Sequence, residues 1–99
     1  MKLNVYEFTA RDIDNQHIYT FPVYVFPTGE ALIPESQTHD SFYKNLDAVE
    51  GHGNDVIESY ERTNRTVTFT DEEMAESILG SAREFGEDAI PESLRYWLA

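Results

Sequence analysis

Residues 2–26, KLNVYEFTARDIDNQHIYTFPVYVF, hold two runs rich in Val, Ile, Tyr, Phe and Thr, at 2–9 and 17–26, separated by the polar stretch 10–16. β-Branched and aromatic side chains fit a pleated, half-buried surface, and two such runs around a short polar break predict an antiparallel hairpin. Pro22 interrupts the second run, and a proline cannot donate to a strand ladder. Pro22 therefore belongs on an edge strand or at a bulge, and a one-residue bulge there would place Tyr19, Phe21, Tyr24 and Phe26 on one face.

Downstream of the hairpin, residues 27–30 (PTGE) read as a turn and 31–33 as a short third strand stopped by Pro34. A polar connection, 35–41, leads to Phe42, Tyr43, Leu46 and Val49, whose spacing predicts an amphipathic helix of about ten residues closed by Gly51. Residues 51–54 (GHGN) form a joint. Residues 55–62 read as strand or helix, and with the strand at 65–70 the favoured reading is a second hairpin closed by Thr63-Asn64, with Tyr60 opposite Val67.

The stretch 69–87, FTDEEMAESILGSAREFGE, predicts the main helix. Thr70 reads as its N-cap, Glu73 completes a capping box, and Phe69 packs on Met74 as a hydrophobic staple. Steps of 100° gather Met74, Ala75, Ile78, Leu79, Ala82 and Phe85 on one stripe. Glu72, Glu73, Glu76, Glu84 and Glu87 fall opposite, with Arg83 the one cation among them. Pro91 followed by Leu94, Trp97 and Leu98 predicts a short terminal helix, with Trp97 packed back on the core or, as the alternative, exposed with Tyr96 and Arg95 as an interface anchor. The elements together predict an α+β fold. It is a single domain over residues 1–99, with a mostly antiparallel sheet of two hairpins and two to three helices on one face.

Ninety-nine residues with 40% hydrophobic and 13% aromatic side chains are enough for one hydrophobic core, which argues against disorder. No cysteine is present, so disulfides and thiolate metal sites are excluded. The first residues alternate polar and apolar and no apolar run reaches about 18 residues, so neither a signal peptide nor a membrane span is expected, and a cytoplasmic location is.

Seven basic against 19 acidic side chains give a net charge of −12. Direct binding to nucleic acid or an anionic membrane surface is disfavoured, because Lys and Arg hold those ligands. A basic partner protein is favoured, since an acidic field steers it in.

Motifs for chemistry are few. Asp12-Ile13-Asp14-Asn15 opens like a calcium loop, but His17 stands where that loop needs glycine and Val23 where it needs glutamate, so an ordinary turn is expected. His39, His52 and Asp55 lack ligand spacing, and no metal or cofactor is expected. Neither a nucleophile elbow nor a phosphate loop occurs, so no catalytic residue is assigned and an enzyme is not expected.

The acidic helix face is nearly unpaired. Glu72 and Glu76 are like charges four apart, and only Arg83 with Glu87 makes an opposite-charge pair, in its less favourable order. Further acid lies at Asp40, Asp47, Glu50, Asp55, Glu58 and Glu61, so several elements together are expected to present one negative surface. The partner-binding candidates are therefore Glu72, Glu73, Glu76, Glu84 and Glu87 with Asp47, Glu50, Asp55, Glu58 and Glu61. Solvation alone is the plain alternative for such a charge-rich face.

In size, lack of cysteine and charge, the chain resembles the small acidic anti-defence proteins of phages and mobile elements, including anti-CRISPR and anti-restriction DNA mimics. That resemblance, which is compositional and covers no motif, implies a non-enzymatic inhibitor whose carboxylates stand in for phosphates on a basic, nucleic-acid-binding protein. The alternative is a structural or accessory domain, homo-oligomeric or halo-adapted, whose charge serves solubility.

Overall fold

A computed structural model describes residues 1–34, 42–51 and 55–85. Within them the chain forms a five-stranded sheet, one α-helix and one 3₁₀ segment. The strands are β1 (Lys2–Arg11), β2 (Ile18–Val25), β3 (Ala31–Leu32), β4 (Phe42–Tyr43) and β5 (Val56–Thr68), and the helix is α1 (Glu72–Phe85). The sheet order is β4-β3-β2-β1-β5, and every pairing is antiparallel.

β1 and β2 form the expected hairpin, in continuous register from Asn4↔Val25 to Arg11↔Ile18. The connection uses side-chain chemistry. Asp12 Oδ1 accepts the N–H groups of Asp14 (2.8 Å) and Asn15 (3.3 Å), and Gln16 takes φ 63° so that the chain can turn back. The carboxylate that suggested a calcium ligand is committed to its own backbone.

No bulge occurs at Pro22, which faces Glu7 directly. β3 pairs only with Tyr24 and Val25, so the other edge of β2 is open where Pro22 lacks its N–H, and no ladder bond is lost. The four aromatic residues consequently divide. Tyr19 and Phe21 go to one face of the sheet, Tyr24 and Phe26 to the other.

That division reflects a sheet buried from both sides. Directly opposed residues share a face, so the register sorts the apolar side chains into two cores. One contains Leu3, Phe26, Leu32 and Phe69, covered by Ala75, Ile78 and Leu79 of α1. The other contains Phe8, Ala10, Phe21, Val23, Ala31 and Ile33, covered by Val49 of the 3₁₀ segment (Asp47–Gly51) and by Leu46 just before it. Phe8 is fully buried here, stacked on Tyr60 at 4.7 Å and tilted against Phe21 at 5.5 Å, which ties β5, β1 and β2 together across one face.

The helix count and placement expected from the sequence are overturned. One α-helix is present among the described residues, where two to three on one face were expected. Residues 42–51 are not an amphipathic helix. Phe42 and Tyr43 pair as β4 with Leu32 and Ala31, which sends the two rings to opposite cores. Asn45 Oδ1 then accepts the Ala48 N–H (2.9 Å) and caps a segment that starts late, leaving room only for the 3₁₀ turn Asp47–Gly51. The terminal helix expected near residues 90–98 lies outside the described residues.

The second hairpin is overturned as well. Residues 56–68 form one strand lying along the whole of β1, from Arg11↔Val56 to Lys2↔Thr68. β1 offers a ready partner over this length, so Thr63-Asn64 is absorbed as an irregularity and not as a turn. Between Asn4↔Thr66 and Tyr6↔Arg62, β5 carries two extra residues, and between Thr9↔Ser59 and Ala10↔Ile57 it carries one.

α1 begins one residue later than its sequence signature indicates. Asp71 Oδ1 accepts the Met74 N–H (3.1 Å), and Asp71 O accepts the first helical bond from Ala75 (3.0 Å), so Asp71 is the N-cap. An aspartate there also meets the positive end of the helix dipole, which a threonine does not. Phe69 is buried in the core that Met74 packs against.

Candidate acidic interface

The exposed face of α1 follows from how its other face is used. Ala75, Ile78, Leu79 and Ala82 are buried against the sheet, and that rotation turns Glu72, Glu73, Glu76 and Glu84 to solvent. Glu72 pairs with the chain's α-amino group. Glu73, Glu76 and Glu84 meet no cation among the described residues. The first-turn acids have a local role, because the helix dipole favours carboxylates there; Glu76 and Glu84 lie beyond that reach.

Arg83, which the sequence sets among these glutamates, points elsewhere. Its Nη2 donates to both carboxylate oxygens of Glu30 (2.8 and 3.0 Å) and to Thr28 Oγ1 (3.1 Å), while Nε reaches Glu30 Oε1 (3.0 Å). The helix is thereby clamped to the β2–β3 turn. Burial works to raise the Glu30 carboxyl, but the hydrogen bonds from Thr28 and Arg83 and the Arg83 charge outweigh it and hold the group below its ordinary range. The solvent face of α1 thus loses its one cationic side chain to the β2–β3 turn.

The remaining sequence-derived candidates do not gather on one patch. Glu61 faces Glu7 across β5 and β1, on the same side of the sheet as α1. Glu58, at the single-residue irregularity, is paired with Arg11 Nε at 2.7 Å. Asp47 and Glu50 belong to the 3₁₀ segment, on the opposite side. Asp47 there accepts the Tyr60 hydroxyl (3.2 Å), and Asp55 accepts the Tyr19 hydroxyl. Glu87 lies outside the described residues.

The hydrogen bond to Asp55, reinforced by burial and by the charges of Asp55 and Asp12, pushes the Tyr19 phenol up to about 12. The bond to Asp47 likewise raises Tyr60. Both tyrosines stay neutral donors near neutral pH, so the acids on this side are partly engaged by the protein's own hydroxyls.

Glu7 was not identified from sequence. Like charges directly opposed across strands destabilise a sheet, so Glu7 and Glu61 form a second uncompensated acidic feature beside the helix. The alternation Leu3, Val5, Glu7 already puts Glu7 on the α1 side; what was missing was the pairing of β1 with β5.

No group of three or more His, Asp or Glu poised to hold a metal occurs among the described residues, and none of their helices is long and apolar enough to cross a membrane. No protein-family model, curated protein or solved structure matches the chain.

Proposed function

We propose that this protein is a non-enzymatic binder that occupies a basic, nucleic-acid-binding surface of a partner, with the exposed glutamates of α1 at the centre of contact. The observation that carries this reading is the isolation of those glutamates, since Arg83 turns away to Glu30 and leaves Glu73, Glu76 and Glu84 without a cation among the described residues. Along α1, Glu72, Glu73 and Glu76 lie within about 6 Å of helix axis and Glu84 about 12 Å further on, against about one phosphate per 3.4 Å along a DNA strand. That spacing suits charge-assisted bonds to a row of Lys and Arg side chains. Glu7 and Glu61 extend the acid on the same side of the sheet, whereas Asp47, Glu50 and Asp55 belong to the other and are not part of the proposed contact.

The test is capture of a basic partner at low salt, followed by measurement of that partner's nucleic-acid binding. The protein is expected to displace the nucleic acid, and the triple reversal Glu73→Lys, Glu76→Lys, Glu84→Lys is expected to abolish both capture and displacement while the fold, checked by circular dichroism, survives. Undiminished capture by the reversed variant would leave solubility as the role of the charge.

A further inference from the structure

In a chain with 12 more negative than positive side chains, two arginines around one concavity have no carboxylate partner among the described residues. At the two extra residues of β5 between Arg62 and Thr66 lies an open cleft of about 290 Å³ lined by Asn4, Arg62, Thr63, Asn64, Arg65 and Thr66. Every lining side chain is cationic or neutral. Glu61, the nearest acid in sequence, is directed to the other face of the sheet by strand alternation, since it opposes Glu7 while Arg62 opposes Tyr6.

The cleft is held in shape by its own bonds. Thr63 Oγ1 donates to Val5 O (2.7 Å) and accepts the Arg65 N–H (3.1 Å), which pins the irregularity to β1. Asn4 Oδ1 accepts from Arg62 Nη2 (3.2 Å), which orients that guanidinium and leaves its other donors available. Elsewhere the guanidinium groups of Arg11 and Arg83 are each neutralised by a carboxylate. Arg62 is bonded only to a neutral amide, and the Arg65 side chain meets no acid among the described residues.

From this we infer that the β5 irregularity is a binding site for a single phosphate group, free or as a monoester, held by the forked guanidinium groups of Arg62 and Arg65 with Asn64 and Thr66 as neutral donors. Guanidinium matches a tetrahedral oxyanion by paired N–H···O bonds. The surrounding field selects for low charge, because repulsion from the acidic surface grows with the charge of the ligand and disfavours a polyanion such as nucleic acid. The inference is independent of the proposed α1 contact.

The experiment is an NMR titration of the full chain at constant ionic strength, with inorganic phosphate, methyl phosphate and acetate in separate arms. Saturable shifts confined to residues 62–66 and the Asn4 side-chain amide are expected, with a low-millimolar dissociation constant for phosphate. Arg62→Gln and Arg65→Gln should each weaken it at least tenfold, and Lys44→Gln, which removes a distant charge, should leave it unchanged. Equal affinity for methyl phosphate would assign a monoester ligand, and weaker binding of it free phosphate; either supports the site. Shifts that do not saturate, acetate binding as tightly as phosphate, or a Lys44→Gln effect equal to that of Arg65→Gln would overturn it. Dispersed spectra of the variants establish that they are folded.

Discussion

If the sheet separates two independent cores, conservative losses on its two faces must add. Ile33 belongs to the core under the 3₁₀ segment and Ile78 to the core under α1, both nearly fully buried at 3% and 6% exposure. Ile33→Val and Ile78→Val each remove one buried methylene and should each cost about 0.5–1.5 kcal/mol. The double variant should lose about 1–3 kcal/mol, which a domain with a stability of about 5–15 kcal/mol survives. The assay is urea denaturation followed by circular dichroism, with unchanged m-values as the condition for comparing midpoints. Side chains with no shared partners couple by less than about 0.5 kcal/mol. A positive control is Ile33→Val combined with Val49→Ala, two members of one cluster, where non-additivity is expected. A coupling above about 1 kcal/mol between positions 33 and 78 would refute the two-core arrangement, since it would require the two side chains to share neighbours.

Further expectations concern individual bonds. Asp71→Ala should cost about 1 kcal/mol and lower Tm by about 4–8 °C, whereas Asp71→Asn, which keeps the accepting side-chain oxygen, should cost a fraction of that; an equal loss in both would refute the cap. Because Glu30 is held below its ordinary value in the folded state, its contribution is present above the unfolded value of 4.5 and lost as pH falls through the folded one; Arg83→Gln should flatten this acid limb in pH-dependent unfolding. Tyr19 carries the opposite sign: its bond stabilises fully below the unfolded value of 10.0 and is lost as pH rises towards about 12, so ultraviolet titration of Asp55→Asn should show one phenol returning towards the ordinary range.

The N-terminal hairpin and the helix at 72–85 were legible because each is encoded by neighbours in sequence: two aromatic runs around an Asp-rich turn, and an apolar stripe with a cap beside it. What was not legible depended on distant partners. Thr63-Asn64 has turn chemistry, and only the length of β1 made it part of a continuous strand. Phe42, Tyr43, Leu46 and Val49 have helical spacing, yet β3 claimed the first two and Asn45 capped the rest. Pro22 resembled a bulge because its tolerance depends on β3 being two residues long. Among the candidate site residues, the α1 glutamates were correctly set opposite the apolar stripe. Sequence could not show that Asp47 and Glu50 lie across the sheet from them, or that Arg83 leaves them for Glu30.

The irregular course of β5 also bears on what its outer edge offers to a second copy of the chain. A straight outer strand of 13 residues would expose a row of unpaired amides and carbonyls that a second molecule could extend, the usual start of edge-to-edge aggregation. The irregularities at Glu58 and at 63–65 break that row into short pieces. Because the larger one contains two residues, excising Asn64 and Arg65 preserves the inward and outward alternation of everything after it, including Val67. Such a shortened protein would keep its cores and gain a straighter edge, so the larger interruption of that edge is made by two residues that neither core requires.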